Sequence, residues 1–378
     1  MKKKHITVLV SNDLEFDQRV RKVCDTLLGR GWDITLVGRM LPTSKPFSRN
    51  YEIVRFKLPF TKGALFYAAL NIRLFFYLMT KKTDVILAND LDTLLPAFLW
   101  SKWRKKVLVY DSHEYFTEAE GLTGRAFQKK VWLSIERFIF PKLKYVITVN
   151  ESIAKIYREQ YRVNVRVVRN MPEYIDRGDK KSRAELGLPD DKKIVILQGA
   201  FIDPDRGGME ALLAMETLNN VMLLIVGSGR EIPLLKTIAQ EERFKGKVIF
   251  KDKMPFSELW HYTANADLGL SLDKPLHLNY RFSLPNKLFD YIHAGVPVLV
   301  SDLPELRRVV EDYRVGGVVK ETSPTAVANG IKEMLSNGDY DFYKMNCKEA
   351  SKRLNWQSEE KILTEIYEEV EKEIGNRK

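Results

Sequence analysis

Short apolar runs rich in Val, Ile and Leu recur along the chain with helical patterns between them, and no other feature narrows the fold so far. The first half carries "ITVLVS", "DITLVG", "YEIVRF", "DVILAND", "KVLVYDS", "YVITVN" and "VRVVRN". The second half repeats the rhythm with "KIVILQG", "VMLLIVGSG", "KVIFKD", "ADLGLSLD" and "PVLVSD", separated by helices expected near 207–217, 230–240, 256–263 and 285–294. Continuously apolar strands are covered on both faces, which is the condition of a parallel sheet with helices above and below it. The chain is therefore expected to be α/β, with doubly wound, Rossmann-like domains.

Length argues for two of them, because 378 residues exceed the size at which one core stops growing. Between residues 170 and 193, "NMPEYIDRGDKKSRAELGLPDDKK", Pro, Gly and charge replace apolar periodicity. The domains are read as 1–170 and 171–355, joined by a hinge. After Pro324 the pattern is wholly helical, and 356–378 reads as a last amphipathic helix with Ile362, Ile366, Tyr367 and Val370 on one side.

Cys24 and Cys347 stand far apart, with neither a disulfide framework nor metal-ligand spacing, which suits a reducing cytoplasm. The opening "MKKKHITVLVS" has too short an apolar run for a secretory signal. The longest apolar segment, "GALFYAALNIRLFFYLM" at 63–79, has Asn71 and Arg73 in its middle. A central Arg costs about 2.5 kcal/mol or more inside a bilayer, so an amphipathic or buried helix is expected; the alternative to its docking on a membrane surface is that it packs in the core with Phe66, Leu70 and Phe76 buried. Net charge is +11, and its source is the first half: residues 1–170 hold 31 Lys and Arg against 16 Asp and Glu, the remainder 30 against 34. Such a half suits nucleic acid, anionic lipid or phosphorylated substrates. Its basic residues are scattered, without a helix-turn-helix, zinc or RNA-recognition signature, so nucleic acid is not expected.

Ligands of open parallel sheets bind at the carboxyl ends of strands. Here the first run ends in Ser11-Asn12-Asp13, with Asp17 and Arg19 opening the next helix; the fourth ends in Asn89-Asp90, the fifth in Asp111-Ser112-His113-Glu114. The second half supplies Gly199, Gly227-Ser228-Gly229, Asp273 and Ser301. One polar strand end is ordinary capping, whereas a row in both halves describes ligand-binding edges. The Gly-Ser-Gly turn is either a close approach to phosphate or sugar or a plain tight turn. Arg206, before Gly207-Gly208 and a helix, is either an anion ligand or a solvated loop arginine. Asp90-Leu91-Asp92 looks like a metal-binding Asp-x-Asp pair, but Asp92 is placed to cap a helix starting near Thr93, and no metal is expected.

The most informative stretch is "SLPNKLFDYIHAGVPVLVSDLPE", 283–305. Pro285 suits a first helical turn, which leaves the amides of Asn286, Lys287 and Leu288 pointing outward as an anion site. Lys287 stands at the positive end of that helix, where a cation costs up to about 1 kcal/mol unless an anion is near. Lys287 and Asp290, three apart, share a face. The lysine can meet a phosphate and the carboxylate a ribose hydroxyl; the alternative is a surface ion pair between the two.

Together these segments resemble glycosyltransferase family 4, nucleotide-sugar-dependent transferases of the GT-B fold, over almost the whole chain. "FDQRVRKVCDTLLGRGWDITLVG" and "VYDSHE" are similar to its first-domain signatures; "GAFIDPDRGG", "LLIVGSG" and the 283–305 segment are similar to its donor-binding half. The resemblance implies two Rossmann-like domains facing a cleft, the last helix returning to the first domain, a nucleoside-diphosphate sugar as donor substrate and no cofactor. It further implies that Arg206 and Lys287 neutralise the diphosphate, that Gly199, Gly227, Ser228 and Asn286 contact the donor, and that Asp290 binds ribose. His113 would lie near the transferred sugar or the acceptor, or be a structural strand-end residue, and Asn12, Asp17 and Arg19 would line the acceptor side. The acceptor is expected to be a sugar or lipid-linked saccharide in cell-surface polysaccharide or glycolipid synthesis, with retained stereochemistry. Lysines 2–4, "SKWRKK" at 101–106 and the 63–79 helix point to docking on the anionic inner face of the plasma membrane. A sugar-nucleotide epimerase shares the architecture. Two positions depart from the family: Phe282 fills the first place of its Glu, seven residues, Glu pair, and Ala200 follows Gly199 where many members carry Arg.

Overall fold

A computed structural model of the chain describes residues 3–15, 17–336 and 338–377, which fall into two compact units. Unit 1 is Met1–Asn170 with Gln357–Lys378, and unit 2 is Met171–Trp356. Lys2, counted above among the basic residues, lies outside the described residues.

In unit 1 the apolar runs form β1 (His5–Leu9), β2 (Asp33–Met40), β3 (Glu52–Lys57), β4 (Val85–Asn89), β5 (Val107–Ser112), β6 (Tyr145–Thr148) and β7 (Val165–Val167). All pair in parallel, in the order β3-β2-β1-β4-β5-β6-β7. The winding reverses between β1 and β4, so the loops after those two strands flank the switch point, where doubly wound sheets bind ligands. Helices α1 (Gln18–Gly29), α2 (Gly63–Thr80), α3 (Leu91–Arg104), α4 (Ala126–Ile139) and α5 (Glu151–Tyr161) cover the sheet.

Helix α2 buries Phe66, Leu70, Leu74 and Leu78, a strict four-residue stripe. Phe76 lies midway between the last two and so on the opposite face, where it is 63% exposed beside Leu65 and Ile72, contrary to the core position that the packed alternative gives it. Polar residues inside the helix are structural: Asn71 Nδ2 donates to the carbonyls of Tyr67 and Asp92, both at 2.8 Å, and Arg73 lies over the Phe56 ring. By length and composition alone, α2 is long and apolar enough to cross a membrane.

Unit 2 holds β8 (Lys193–Gly199), β9 (Val221–Gly227), β10 (Val248–Lys251), β11 (Leu268–Ser271), β12 (Val298–Ser301) and β13 (Gly316–Val319), parallel in the order β10-β9-β8-β11-β12-β13. Its switch point lies between β8 and β11. Its helices are α6 (Arg183–Leu186), α7 (Gly208–Ala214), α8 (Ile232–Ile238), α9 (Phe256–Thr263), α10 (Leu278–Arg281), α11 (Asn286–His293), α12 (Pro304–Tyr313), α13 (Pro324–Ser336) and α14 (Tyr340–Ser351); α15 (Trp356–Asn376) follows and from Gln357 belongs to unit 1. One core packs α11, α12 and α14 on the sheet, and a second packs α7 and α13 on the other face.

Helix α15 lies on unit 1. Leu363, Ile366, Tyr367, Val370 and Ile374 are buried, Tyr367 edge-on to Trp32 at 5.8 Å, while Ile362 is only half-buried at the margin of the stripe. Buried Glu359 anchors the helix start, accepting from the Arg169 amide and Nε, each at 2.7 Å.

Candidate functional site

At the carboxyl edge of the second sheet two cations meet one carboxylate. Asp273, two residues past β11, is fully buried. Its Oδ1 accepts from Arg206 Nη1 at 2.6 Å, its Oδ2 lies 3.6 Å from Lys287 Nζ, and Ser271 Oγ donates to Oδ2 at 3.1 Å. Arg206 also stacks on the Tyr280 ring at 4.4 Å, and Ser301 Oγ donates to the Asp273 carbonyl at 2.6 Å. Burial works against the Asp273 charge, but the Lys287 ammonium and then the Arg206 guanidinium overcome it and hold the carboxyl below its usual range. Burial pulls Lys287 below the ordinary lysine value; Asp273 opposes this and Arg206 adds to it.

Lys287 opens α11 as expected, with two corrections. Pro285 is the cap rather than the first helical residue, its φ of −71° and ψ of 141° being extended. The Leu288 amide bonds back to the Pro285 carbonyl at 3.2 Å and is therefore taken up within the helix. The carboxylate facing Lys287 is Asp273, from another element. Asp290 instead accepts from Gln198 Nε2 at 3.2 Å, and Gln198 Oε1 accepts from Thr263 Oγ1 at 2.7 Å. Asp273 was expected only as one polar strand end in a ligand-binding edge, and Gln198 was not singled out; the signal for Gln198 was a lone amide in the otherwise apolar "KIVILQG".

The Gly-Ser-Gly turn closes against the loop after β8. The Ser228 amide donates to the Gly199 carbonyl at 3.3 Å, the Ile202 amide to the Ser228 carbonyl at 2.7 Å, and Ser228 Oγ to the Ala200 carbonyl at 2.8 Å. Gly227 has φ +141°, and a Cβ there would sit 1.8 Å from the Gly199 oxygen. Packing between the two loops thus accounts for that glycine by itself.

In unit 1 the polar groups at the strand ends are held by hydrogen bonds and ion pairs among themselves. Arg19, 3% exposed, forks onto Asp111 through Nε at 3.0 Å and Nη2 at 2.7 Å, and its Nη1 donates to the Val168 carbonyl at 2.6 Å. Arg19 therefore does not line an open acceptor surface: it is buried, and each of its three guanidinium nitrogens donates inside. His113 donates its amide to Asp90 Oδ1 at 2.8 Å and sets Nε2 3.0 Å from Asn89 Oδ1, with Asp90 and Asp111 each 3.6 Å from a ring nitrogen. Burial opposes the imidazolium, but Asp90 and the bond to Asp111 prevail and push His113 up to about 9. Asn12 Nδ2 donates to Asp17 Oδ2 at 2.6 Å, and Asp17 Oδ1 caps α1 through the Val20 amide at 3.0 Å. Burial raises Asp90 to about 7 against the pull of His113, and Asp92 to about 6 against a bond from Ser11. Asp92 is not the cap expected of it. Asp90 turns the chain with φ +59° and α3 begins at Leu91, which puts Asp92 within the first turn. Among the described residues no three His, Cys, Asp or Glu side chains converge as metal ligands.

Residues 178–354 match the family described as Glycosyl transferases group 1, and residues 18–171 match Glycosyltransferase Family 4. Phosphatidyl-myo-inositol mannosyltransferase of Mycobacterium leprae is 29% identical over 193 residues, 49% of this chain and 48% of that protein, so the match spans about half the length of this curated relative. An uncharacterized glycosyltransferase of Methanocaldococcus jannaschii is 23% identical over 367 residues, 90% of each chain. Among solved structures, sucrose-phosphate synthase from Thermosynechococcus elongatus superposes with a TM-score of 0.77 at 17% identity, over 97% of this chain and 99% of that one. Anabaena HepE in complex with UDP and glucose gives 0.71 at 15%, over 97% and 100%. The structural likenesses establish the fold, and the two family matches run through both units. The chain belongs to glycosyltransferase family 4, enzymes of the GT-B fold that transfer sugar from a nucleotide sugar.

Proposed function

We propose that the donor is a nucleoside-diphosphate sugar whose diphosphate is held by Arg206 and Lys287. The observation that carries this is their convergence at the switch-point edge of unit 2. As the bond from the anomeric carbon to the diphosphate breaks, the acceptor oxygen bonds to that carbon, its proton leaves with the products, and negative charge gathers on the leaving oxygen. Two fixed cations offset that charge, a contribution of about 3–4 kcal/mol per contact at comparable sites. Asp290, steadied by Gln198, accepts from ribose hydroxyls; Gly199, Gly227, Ser228 and Asn286 present backbone to the donor. His113, an imidazolium at neutral pH, donates a hydrogen bond to the transferred sugar or the acceptor, and Asn12 and Asp17 serve the acceptor side. Neither metal nor cofactor takes part, and configuration is retained.

The acceptor we propose is a sugar or lipid-linked saccharide of cell-surface polysaccharide or glycolipid synthesis, met at the anionic inner face of the plasma membrane by a cytoplasmic enzyme. The name of the M. leprae relative, which includes a phospholipid, supports this reading. So does the outer face of α2, α3 and α4, where Phe76, Trp103 and Phe127 are exposed and Lys102, Arg104 and Lys105 lie alongside. Rings can seat at the interface while each cation near anionic lipid contributes about 1 kcal/mol.

Thermal shift against a panel of nucleotide sugars tests the donor, since a ligand at 100 times its Kd adds about 2.7 kcal/mol. Stabilisation by none of them would overturn the reading. Release of nucleoside diphosphate only when an acceptor is supplied separates transfer from epimerisation.

A further inference from the structure

We infer that Asp273 is a positioning residue of the donor site, a built-in counter-ion that binds Arg206 and Lys287 into a single receptor for the donor diphosphate. The inference rests on the donor reading above. Arg206 comes from the loop before α7 and Lys287 from the first turn of α11; Asp273, from the end of β11, is paired with both. Its oxygens are divided between them, Oδ1 to the guanidinium and Oδ2 to the ammonium and Ser271. The carboxylate is held in turn: Ser301 fixes its backbone, and it is wholly enclosed.

The need for such a residue follows from electrostatics. Lys287 has an 11% exposed side chain, lies at the positive end of a helix and faces a guanidinium, and each of these disfavours an ammonium. Asp273 and Arg206 are the charged groups acting on Lys287; Asp273, Asp203 and Tyr280 act on Arg206. With the donor absent, Asp273 is the charge that keeps the lysine protonated and aimed. The triad retains one net positive charge, enough to draw a diphosphate, while the carboxylate limits the grip on the product that must leave. A cation at a helix entrance is thus answered twice, by a resident carboxylate and by a visiting phosphate.

Asp273→Asn keeps the size and one acceptor oxygen but removes the charge. The experiment is isothermal titration of the wild type and this variant with ADP, GDP and UDP from pH 6 to 10, each ligand compared between proteins so that its own titration cancels. Wild-type affinity is expected to fall at alkaline pH as Lys287 loses its proton. In Asp273→Asn that fall should move to lower pH by about one unit or more, each unit being about 1.4 kcal/mol of lost preference for the ammonium. A uniform loss of affinity with the alkaline fall in place is what a purely structural aspartate would give, and it would overturn the inference. Lys287→Arg keeps a charge that does not titrate in this range and should abolish the fall; its persistence there would also overturn the inference, even if Asp273→Asn fails to fold. If wild-type protein binds none of the three nucleotides at any pH, the donor reading itself is refuted.

Discussion

Arg19→Met tests the closed network of unit 1 most directly. The change keeps an unbranched apolar stem but leaves Asp111, a 2% exposed carboxylate, without its guanidinium, and removes the donor to the Val168 carbonyl. Taking one partner from a buried ion pair costs about 3–5 kcal/mol, because the survivor is left charged in a low-dielectric setting. At a slope of about 2 kcal/mol per M, this moves the urea midpoint of the transition that reports unit 1 down by about 2 M. Asp111 is held below the ordinary carboxylate range by Arg19 against the effect of burial, so the pair's contribution is full above about pH 4 and is lost as pH falls through the native value. The deficit of the variant should therefore shrink in acid. Combining it with Asp111→Asn should return at least 2 kcal/mol of the loss. Because the network also holds His113, kcat/KM should fall while nucleotide affinity, which the proposal assigns to unit 2, stays unchanged. A loss of under 1 kcal/mol at pH 7, or additive single mutants, would refute the claim that this pair organises the strand ends.

Arg206→Ala should lower turnover by at least about 10²-fold, since one contact to the leaving charge is lost; turnover in the wild type should be unaffected by EDTA. Gly227→Ala should destabilise unit 2 by more than about 2 kcal/mol and abolish nucleotide binding, because its Cβ meets the Gly199 oxygen at 1.8 Å, whereas Gly29→Ala, with open space around it, should be neutral by the same denaturation assay. His113 titrates near 9 in the fold against 6.5 unfolded, so its contribution is full below pH 6.5 and lost as pH rises toward 9. Denaturation of His113→Asn should lack that alkaline decline.

Both sheets were legible as parallel and covered on both faces because continuous apolar runs between helical patterns need burial on both sides; the order of their strands in space was not. Arg206, Lys287, Asp290 and His113 stood out because charged or titratable residues at strand ends and helix starts are costly unless something answers them, and the structure brings Arg206 and Lys287 together on Asp273. What the sequence withheld is which residue does the answering. Lys287 and Asp290 are three apart and invite pairing, yet the carboxylate facing Lys287 comes from the loop just past β11 and the amide on Asp290 from β8, distances along the chain that no local rule reaches. Arg19 looked like a surface ligand for the same reason: Asp111 is 92 residues away. Asp92 was misplaced by one local event, the positive φ of Asp90, which starts α3 two residues early.

The charge at each sheet edge runs opposite to the net charge of the half that carries it. The basic half gathers Asp17, Asp90, Asp92, Asp111 and Glu114 at and just after its strand ends, and Arg19 and His113 meet part of that charge inside, while Lys102, Arg104 and Lys105 are exposed. The other half, with Asp and Glu in excess, places Arg206 and Lys287 at its edge. On the proposed reading, two kinds of anion are addressed by two kinds of charge: a diphosphate by enclosed cations at close range, and an extended anionic surface by exposed ones. Salt distinguishes them, because exposed charges are screened beyond about 8 Å at physiological ionic strength while enclosed ones are screened much less. Raising salt from 0.05 to 0.5 M should detach the protein from vesicles containing anionic lipid by tenfold or more, and neutralising Lys102, Arg104, Lys105 and Lys106 together should do the same. Nucleoside diphosphate affinity over that salt range should change by less than about threefold. Equal salt slopes for vesicles and nucleotide would mean that one set of charges serves both, and would undo the separation argued from these positions.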